Sequence, residues 1–186
     1  MGYNKKISDT TIRIGEVRFS YVYLFSRRRN EDGTEGKYSV SILVPKTDTE
    51  AIKLIENAIN AGKELGKTTK WNGRIPSNVK TPLHDGADKD DPDYEDYYYL
   101  NASNNRQPGI MVLENGARVK ALDDEDFYSG CYGVAALTFK PYDFNGNKGV
   151  GCYVDNVIKT RDGERLAGGR SAEADFGDLG DDDALL

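Results

Sequence analysis

FYSGCYGVAALTFKPYDFNGNKGVGCYVDNVI, residues Phe127 to Ile158, contains two apolar, aromatic-rich runs joined by Asn145-Gly146-Asn147. Asn and Gly tolerate the positive φ that a tight turn demands, so this stretch predicts two strands folded back as a β-hairpin. Strand residues alternate between faces. Gly133, Ala135, Leu137 and Phe139 therefore share one side, and Ala136, Thr138, Lys140 and Tyr142 share the other. The first side is apolar and belongs against a core. The second mixes aromatic, hydroxyl and cation, which suits either a surface that stacks bases and holds phosphates or the plain wet side of an antiparallel sheet.

Working outward, Gly15 to Phe25 (GEVRFSYVYLF) reads as the first strand, with Val17, Phe19, Tyr21, Tyr23 and Phe25 on one face and Arg18 and Ser20 on the other. Val17 and Phe19 are expected in the core, with a tyrosine or two exposed. Arg27-Arg28-Arg29 follows as a solvated strand tip or, beside an aromatic strand, a phosphate clamp. Lys37 to Pro45 is the second strand, stopped by Pro45. Thr47-Asp48-Thr49-Glu50 predicts a capping box in which the Thr hydroxyl and Glu carboxylate satisfy the free N–H groups of an opening helix. Ala51, Ile52, Ile55, Ala58 and Ile59 form its apolar stripe, and Gly62 or Gly66 is expected to end it.

Trp71 to Asp85, rich in Pro, Asn and Gly, reads as an ordered loop in which Lys70, Arg74 and Lys80 flank the single Trp. That Trp is a core anchor or a nucleic-acid contact. Asp88 to Asp96 is acidic and repels phosphate, so it is expected away from any binding groove. Tyr97 to Ala102 resumes strand character, with Tyr97 and Tyr99 on one side and Tyr98 and Leu100 on the other, and Glu114 to Ala117 reads as another turn.

Composition bounds the function. The chain has 186 residues, which suits one domain over 1–170 with a real core, followed by a tail over 171–186. Glycine density around Gly168-Gly169 marks the boundary. The tail, SAEADFGDLGDDDALL, has too few large apolar residues and too much like charge to collapse, so it is expected to be disordered. The net charge of −6 hides a polarity: residues 1–84 carry 15 bases against 9 acids, while the tail carries six acids and no Lys or Arg.

No run of roughly 18 apolar residues suggests a membrane span, and the N-terminus lacks the apolar segment of a secretory signal. A cytoplasmic protein is expected. Cys131 and Cys152 fall in the two arms of the hairpin without facing each other, so reduced, buried thiols are expected. One histidine, His84, is too few for a His-based metal site, and Asp123-Asp124-Glu125-Asp126 lacks the alternating ligands of a calcium loop. No nucleophile, base or phosphate-cradling Gly-rich loop supports an enzyme, and no cofactor or metal is implied.

Five or so strands, one capped helix and no βαβ alternation point to a mainly β protein, an antiparallel barrel or sandwich with one inserted helix. An OB-fold-like antiparallel barrel with a disordered acidic C-terminal tail best explains aromatics and cations on strands together with long decorated loops, although periodicity alone does not separate it from another small barrel. GEVRFSYVYLF, KYSVSILVPKTD, GRIPSNVKTPLHDG, FYSGCYG and FNGNKGVGCYVDNVIKTRDGERLAGG also resemble phage-encoded single-stranded DNA-binding proteins, over Arg13 to Leu186, with the FYSGCYG and NGNKG blocks the more specific parts. The resemblance implies an OB-fold and a role in phage DNA replication or recombination, in the host cell cytoplasm. It also implies an acidic tail that docks replication or recombination proteins and competes with DNA for the groove, through Asp181, Asp182, Asp183, Leu185 and Leu186. A homodimer is compatible with this reading.

The expected chemistry is binding without catalysis, by stacking bases on aromatics and tracking phosphates with cations. The stacking candidates are Tyr21, Tyr23, Tyr98, Tyr142 and Phe144; the phosphate candidates are Arg18, Arg27, Arg28, Lys37, Lys80, Lys140 and Lys148. Two rivals stay open. A protein-interaction or virion-structural module would have no affinity for nucleic acid. A metal-dependent nuclease would degrade DNA through the acid clusters.

Overall fold

A computed structural model describes residues 2–166 and Leu179. The strands are β1 (Lys5–Lys6), β2 (Thr11–Tyr23), β3 (Tyr38–Pro45), β4 (Leu83–Asp85), β5 (Tyr97–Asn104), β6 (Gly109–Glu114), β7 (Ala117–Lys120), β8 (Tyr132–Phe144) and β9 (Asn147–Arg161); the helix α1 (Thr49–Thr69) lies between β3 and β4. The fold is mainly β and OB-fold-like, as the strand pattern predicts. The expected tail, with Asp181, Asp182, Asp183, Leu185 and Leu186, and the boundary at residue 170 lie outside the described residues.

The hairpin is the longest pairing in the molecule. β8 and β9 pair from Tyr132↔Arg161 to Phe144↔Asn147, around a two-residue turn with Asn145 at φ 51° and Gly146 at φ 81°. Both turn residues adopt the positive φ that selected them. Phe139, Leu137, Ala135 and Gly133 are buried, Ala136, Thr138 and Tyr142 are half-buried and Lys140 is exposed, so the predicted parity holds. Cys152 pairs with Phe139 in the register, and both cysteines are free and buried. Burial pushes the Cys131 thiol up to about 11, and the Cys152 thiol up as well.

β3, β2, β8, β9 and β5 close into a ring, because β5 pairs with β3 on one side and with β9 on the other. Four seams of the ring are antiparallel. Strand directions cannot alternate around an odd-numbered ring, so at least one seam must be parallel, and here it is Ala102↔Cys152 and Ser103↔Tyr153. β6 adds to β9 in parallel as well, outside the ring. Phe19, Ile42, Leu100, Leu137, Phe139 and Val154 fill the interior with no exposed surface.

Two readings of the helix change. The helix is capped by Asp48, whose carboxylate accepts from the Ala51 N–H at 3.0 Å, rather than by Thr47 and Glu50. Asp48 sits immediately before the first helical residue, the position from which a side-chain oxygen reaches the first turn. The helix also runs through Gly62 and Gly66 to Thr69. Both glycines are buried contact points: a Cβ would come within 2.9 Å of Val150 Cγ1 at Gly62 and 2.6 Å of Trp71 Cζ3 at Gly66. Trp71 is the core anchor, only 3% exposed.

The aromatic strand breaks its alternation at Tyr21. This residue adopts φ 49°, and the register with β3 shifts between Ser20 and Tyr23. A bulge inserts a residue and turns the following side chains over. Leu24 then takes the core place that parity assigned to Phe25; Leu24 has no exposed surface, whereas Phe25 is half-buried.

Candidate nucleic-acid interface

The residues of the second hairpin face open onto a cleft. Its main depression, about 1130 Å³, is lined by Lys140, Tyr142 and Phe144 of β8, Tyr153 of β9, Lys70, Lys80 and His84 from the stretch running from the end of α1 into β4, and Lys37, Asn101 and Ser103. A second depression of 520 Å³ shares Asn101 and Ser103 with it and adds Tyr21, Tyr23, Arg28 and Lys89. A third of 620 Å³ shares Arg28, Lys37 and Ser39 with its neighbours and adds Arg27. Shared walls make the three one continuous track.

Its charge is opposite to that of the chain. Seven Lys or Arg side chains line it (Lys37, Lys70, Lys80, Lys140, Arg27, Arg28 and Lys89) against two acids, Glu35 and Asp143, whereas the whole chain carries −6. None of these cations is ion-paired among the described residues. Several rest on aromatic faces instead: Lys140 lies 5.3 Å from the Tyr153 ring, Arg28 5.6 Å from Tyr23 and Arg27 4.9 Å from Tyr38. Such contacts hold a cation near a ring without neutralising it.

The local sequence explains why the rings lie open. Paired residues across a hairpin point to the same face, and Tyr142 is opposite Gly149 while Lys140 is opposite Gly151. A Cβ on Gly149 would fall 2.6 Å from the Tyr142 hydroxyl, so only glycine leaves room for that ring to lie across β9. Trp71 holds the same strand from below, its Nε1 donating to the Tyr142 carbonyl at 3.1 Å. Phe144, at the hairpin tip, is 70% exposed.

Tyr21, Tyr23, Arg27, Arg28, Lys37, Lys80, Lys140, Tyr142 and Phe144 thus come together along the track. Arg18, Tyr98 and Lys148 do not line it. Arg18 donates to the carbonyls of Gly130 at 3.0 Å and Glu164 at 2.7 Å and stacks on Tyr132, so it braces the opposite side. The Tyr98 ring sits under Lys46, whose ammonium pairs with Asp85. Lys148 stands opposite Asp143, one residue out of step with the Tyr142 face.

Tyr153, Lys70, His84, Asn101 and Lys89 belong to the lining without being among the stacking or phosphate candidates. Tyr153 was accessible to hairpin arithmetic, since it pairs with Thr138 and shares the face of Lys140. Lys89 was not. It belongs to the acidic loop expected to stand clear, yet its ammonium lies 5.3, 4.7 and 5.4 Å from the rings of Tyr21, Tyr94 and Tyr99. The loop borders the track because Tyr94, 1% exposed, anchors it to the sheet. His84 stacks on Tyr99 at 5.1 Å.

No group of three or more His, Cys, Asp or Glu side chains placed to hold a metal ion occurs among the described residues, and no helix among them is long and apolar enough to cross a membrane. Residues 10–186 match the family described as Enterobacter phage Enc34, ssDNA-binding protein. The chain belongs to the Enc34 ssDNA-binding family. It is 31% identical over 176 residues to protein p50 of Acyrthosiphon pisum secondary endosymbiont phage 1, covering 90% of this chain and 93% of that one. Among solved structures it is similar to the single-stranded DNA-binding protein of bacteriophage Enc34 in complex with ssDNA, with TM-score 0.73 and 24% identity over 88% of this chain and 96% of that one. A more distant likeness, TM-score 0.51 at 15% identity over 82% and 91% of the two chains, is to gp2.5, a single-stranded DNA-binding protein encoded by bacteriophage T7. These structural likenesses carry the fold.

Proposed function

We propose that the track binds single-stranded DNA with little sequence preference and no catalysis, in phage DNA replication or recombination in the host cytoplasm. The observation that carries this is the concentration of seven cations, none ion-paired among the described residues, beside open tyrosine faces on an otherwise acidic chain. Unpaired bases expose π-faces to Tyr142, Tyr153, Tyr21 and Tyr23, each stack worth about 1–3 kcal/mol, while Lys37, Lys70, Lys80, Lys140 and Arg28 follow the phosphates. Every base has a π-face, so stacking alone reads no sequence. The acidic tail, through Asp181, Asp182, Asp183, Leu185 and Leu186, docks replication or recombination proteins and competes with DNA for the same cations.

Fluorescence anisotropy of a labelled oligo-dT with the full chain and a chain ending at Arg170, across a salt series, tests this. Nanomolar to micromolar binding is expected, tightening on removal of the tail and weakening with salt at a log–log slope of about −0.7 per phosphate contact. Absence of binding by either chain at low salt would overturn the proposal in favour of a protein-interaction or virion-structural module.

A further inference from the structure

His84 is the chain's one histidine. On β4 it is the register partner of Tyr99 of β5, and the two rings stack with centroids 5.1 Å apart and planes 32° apart. Tyr99 is itself fixed by the buried Tyr94, whose ring meets it edge-on at 5.3 Å. The imidazole is thus held against the sheet, yet the residue is exposed and lines the main depression with Lys37, Lys70, Lys80 and Lys140.

Its surroundings give it no counter-ion. Asp85, next along β4, belongs to the other face of the strand, where its carboxylate takes the Lys46 ammonium at 2.7 Å and the Ala87 N–H at 2.9 Å. From β5 come the uncharged Tyr99 and Asn101, and from the loop after β4 comes Lys89, 5.4 Å from the Tyr99 ring. β9 contributes Tyr153, and β8 contributes Lys140 and Asp143. Asp143 is the one acid lining this depression, and it stands opposite Lys148 in the hairpin. Among the described residues no carboxylate forms an ion pair with His84.

A histidine so placed is suited to an anion that arrives from outside. Histidine is the side chain that ordinarily changes charge between about pH 5 and 8. A phosphate beside an imidazole favours the charged form, which presents both ring N–H groups as donors. The coupling is reciprocal: phosphate binding takes up a proton, and added protons tighten phosphate binding.

We propose that His84 is a phosphate-contacting residue of the track whose contribution is turned on by protonation, so that the protein holds single-stranded DNA more tightly as pH falls through the histidine range. This rests on the single-stranded DNA reading above and adds to the lysines of the main depression a cation that is present only below neutral pH. The ring is exposed, so screening keeps the gain modest, about two- to tenfold in affinity at low salt.

The test measures anisotropy of labelled oligo-dT with the full-length wild type and His84→Gln, at about pH 8 and about pH 5.5, each across a salt series. Thymine takes up no proton in that range, and the amino terminus and every other titrating group are common to both proteins. The ratio of wild-type to variant affinity therefore isolates the imidazole. That ratio is expected to rise about two- to tenfold from the higher pH to the lower. The wild-type log–log salt slope should steepen by up to about 0.7 relative to the variant over the same step, the signature of one more phosphate contact. Thermal melts at both pH values establish that the variant is folded. A ratio that is the same at both pH values, including a uniform loss from a ring that only stacks on a base, overturns the proposal while leaving the single-strand reading intact. So does a ratio that rises with no change in slope. No binding by the wild type at either pH in low salt overturns both readings.

Discussion

The indole Nε1 of Trp71 donates a 3.1 Å hydrogen bond to the main-chain carbonyl of Tyr142. Trp71 closes the end of α1 and Tyr142 stands on the cleft face of β8, so one bond ties the helix to the strand that carries the site. The ring is pressed on its other side by Gly66.

Trp71→Phe removes the donor and strands a carbonyl, and is expected to cost about 1–3 kcal/mol. Gly66→Ala would add about 1 kcal/mol of stability in an open helix; against the Trp71 ring it is expected to cost about 1–3 kcal/mol through overpacking. Urea melts measure both, and a stabilised Gly66→Ala would show that the ring can move aside.

On the cleft wall, Tyr142→Ala and Tyr153→Ala are each expected to weaken oligo-dT binding by about 1–3 kcal/mol. Lys140→Gln should instead flatten the salt dependence by about 0.7 in log–log slope. Titrations across salt separate the two behaviours. An unaltered slope would take Lys140 off the phosphate path.

Arg18→Ala addresses the opposite side. Its guanidinium holds two carbonyls and a tyrosine face away from the track, and loss of these charged hydrogen bonds is expected to lower stability by about 1–3 kcal/mol. The affinity of the folded fraction for oligo-dT should not change. Lost affinity at undiminished stability would place Arg18 on the DNA.

Asp162 supplies a pH dependence. Hydrogen bonds from the Lys159 ammonium and the Tyr128 hydroxyl, both at 2.7 Å, hold its carboxyl below the usual carboxylate range against slight burial. A carboxylate lowered in the folded state stabilises above its unfolded value of about 3.9, and that contribution is lost as pH falls through the folded value. Asp162 is 75% exposed, so Asp162→Ala is expected to cost only about 0.2–1 kcal/mol at neutral pH. Melts of both proteins from neutral pH into acid should show the gap closing below about pH 3.9; a gap that survives full protonation would mean the side chain acts through packing.

Much of the cleft was legible before any coordinates. Lys140 and Tyr142 follow from a two-residue turn and the alternation of a strand, both local properties, and Tyr153 follows from the same arithmetic carried across the turn. Tyr21 and Tyr23 reach the track by a different route from the one alternation suggests, because the bulge at Tyr21 reorients the strand after Ser20. Glycine was the least readable residue. Gly62 and Gly66 look like helix ends and are instead contact points, a difference that depends on what packs against them.

By itself, the amino-acid sequence determined the hairpin, the capped helix, the apolar faces and the clustering of cations in the N-terminal half. Turn chemistry, side-chain periodicity and charge act over a few residues and need no partner. The tertiary structure alone decided that β5 closes on β9, that Lys89 of an acidic loop lies among three tyrosines, that Arg18 faces away, and that Ser41 donates to the Asn101 amide oxygen. Each of these depends on pairing between segments distant in the chain, and strand order and side-chain partners are chosen by packing the whole core.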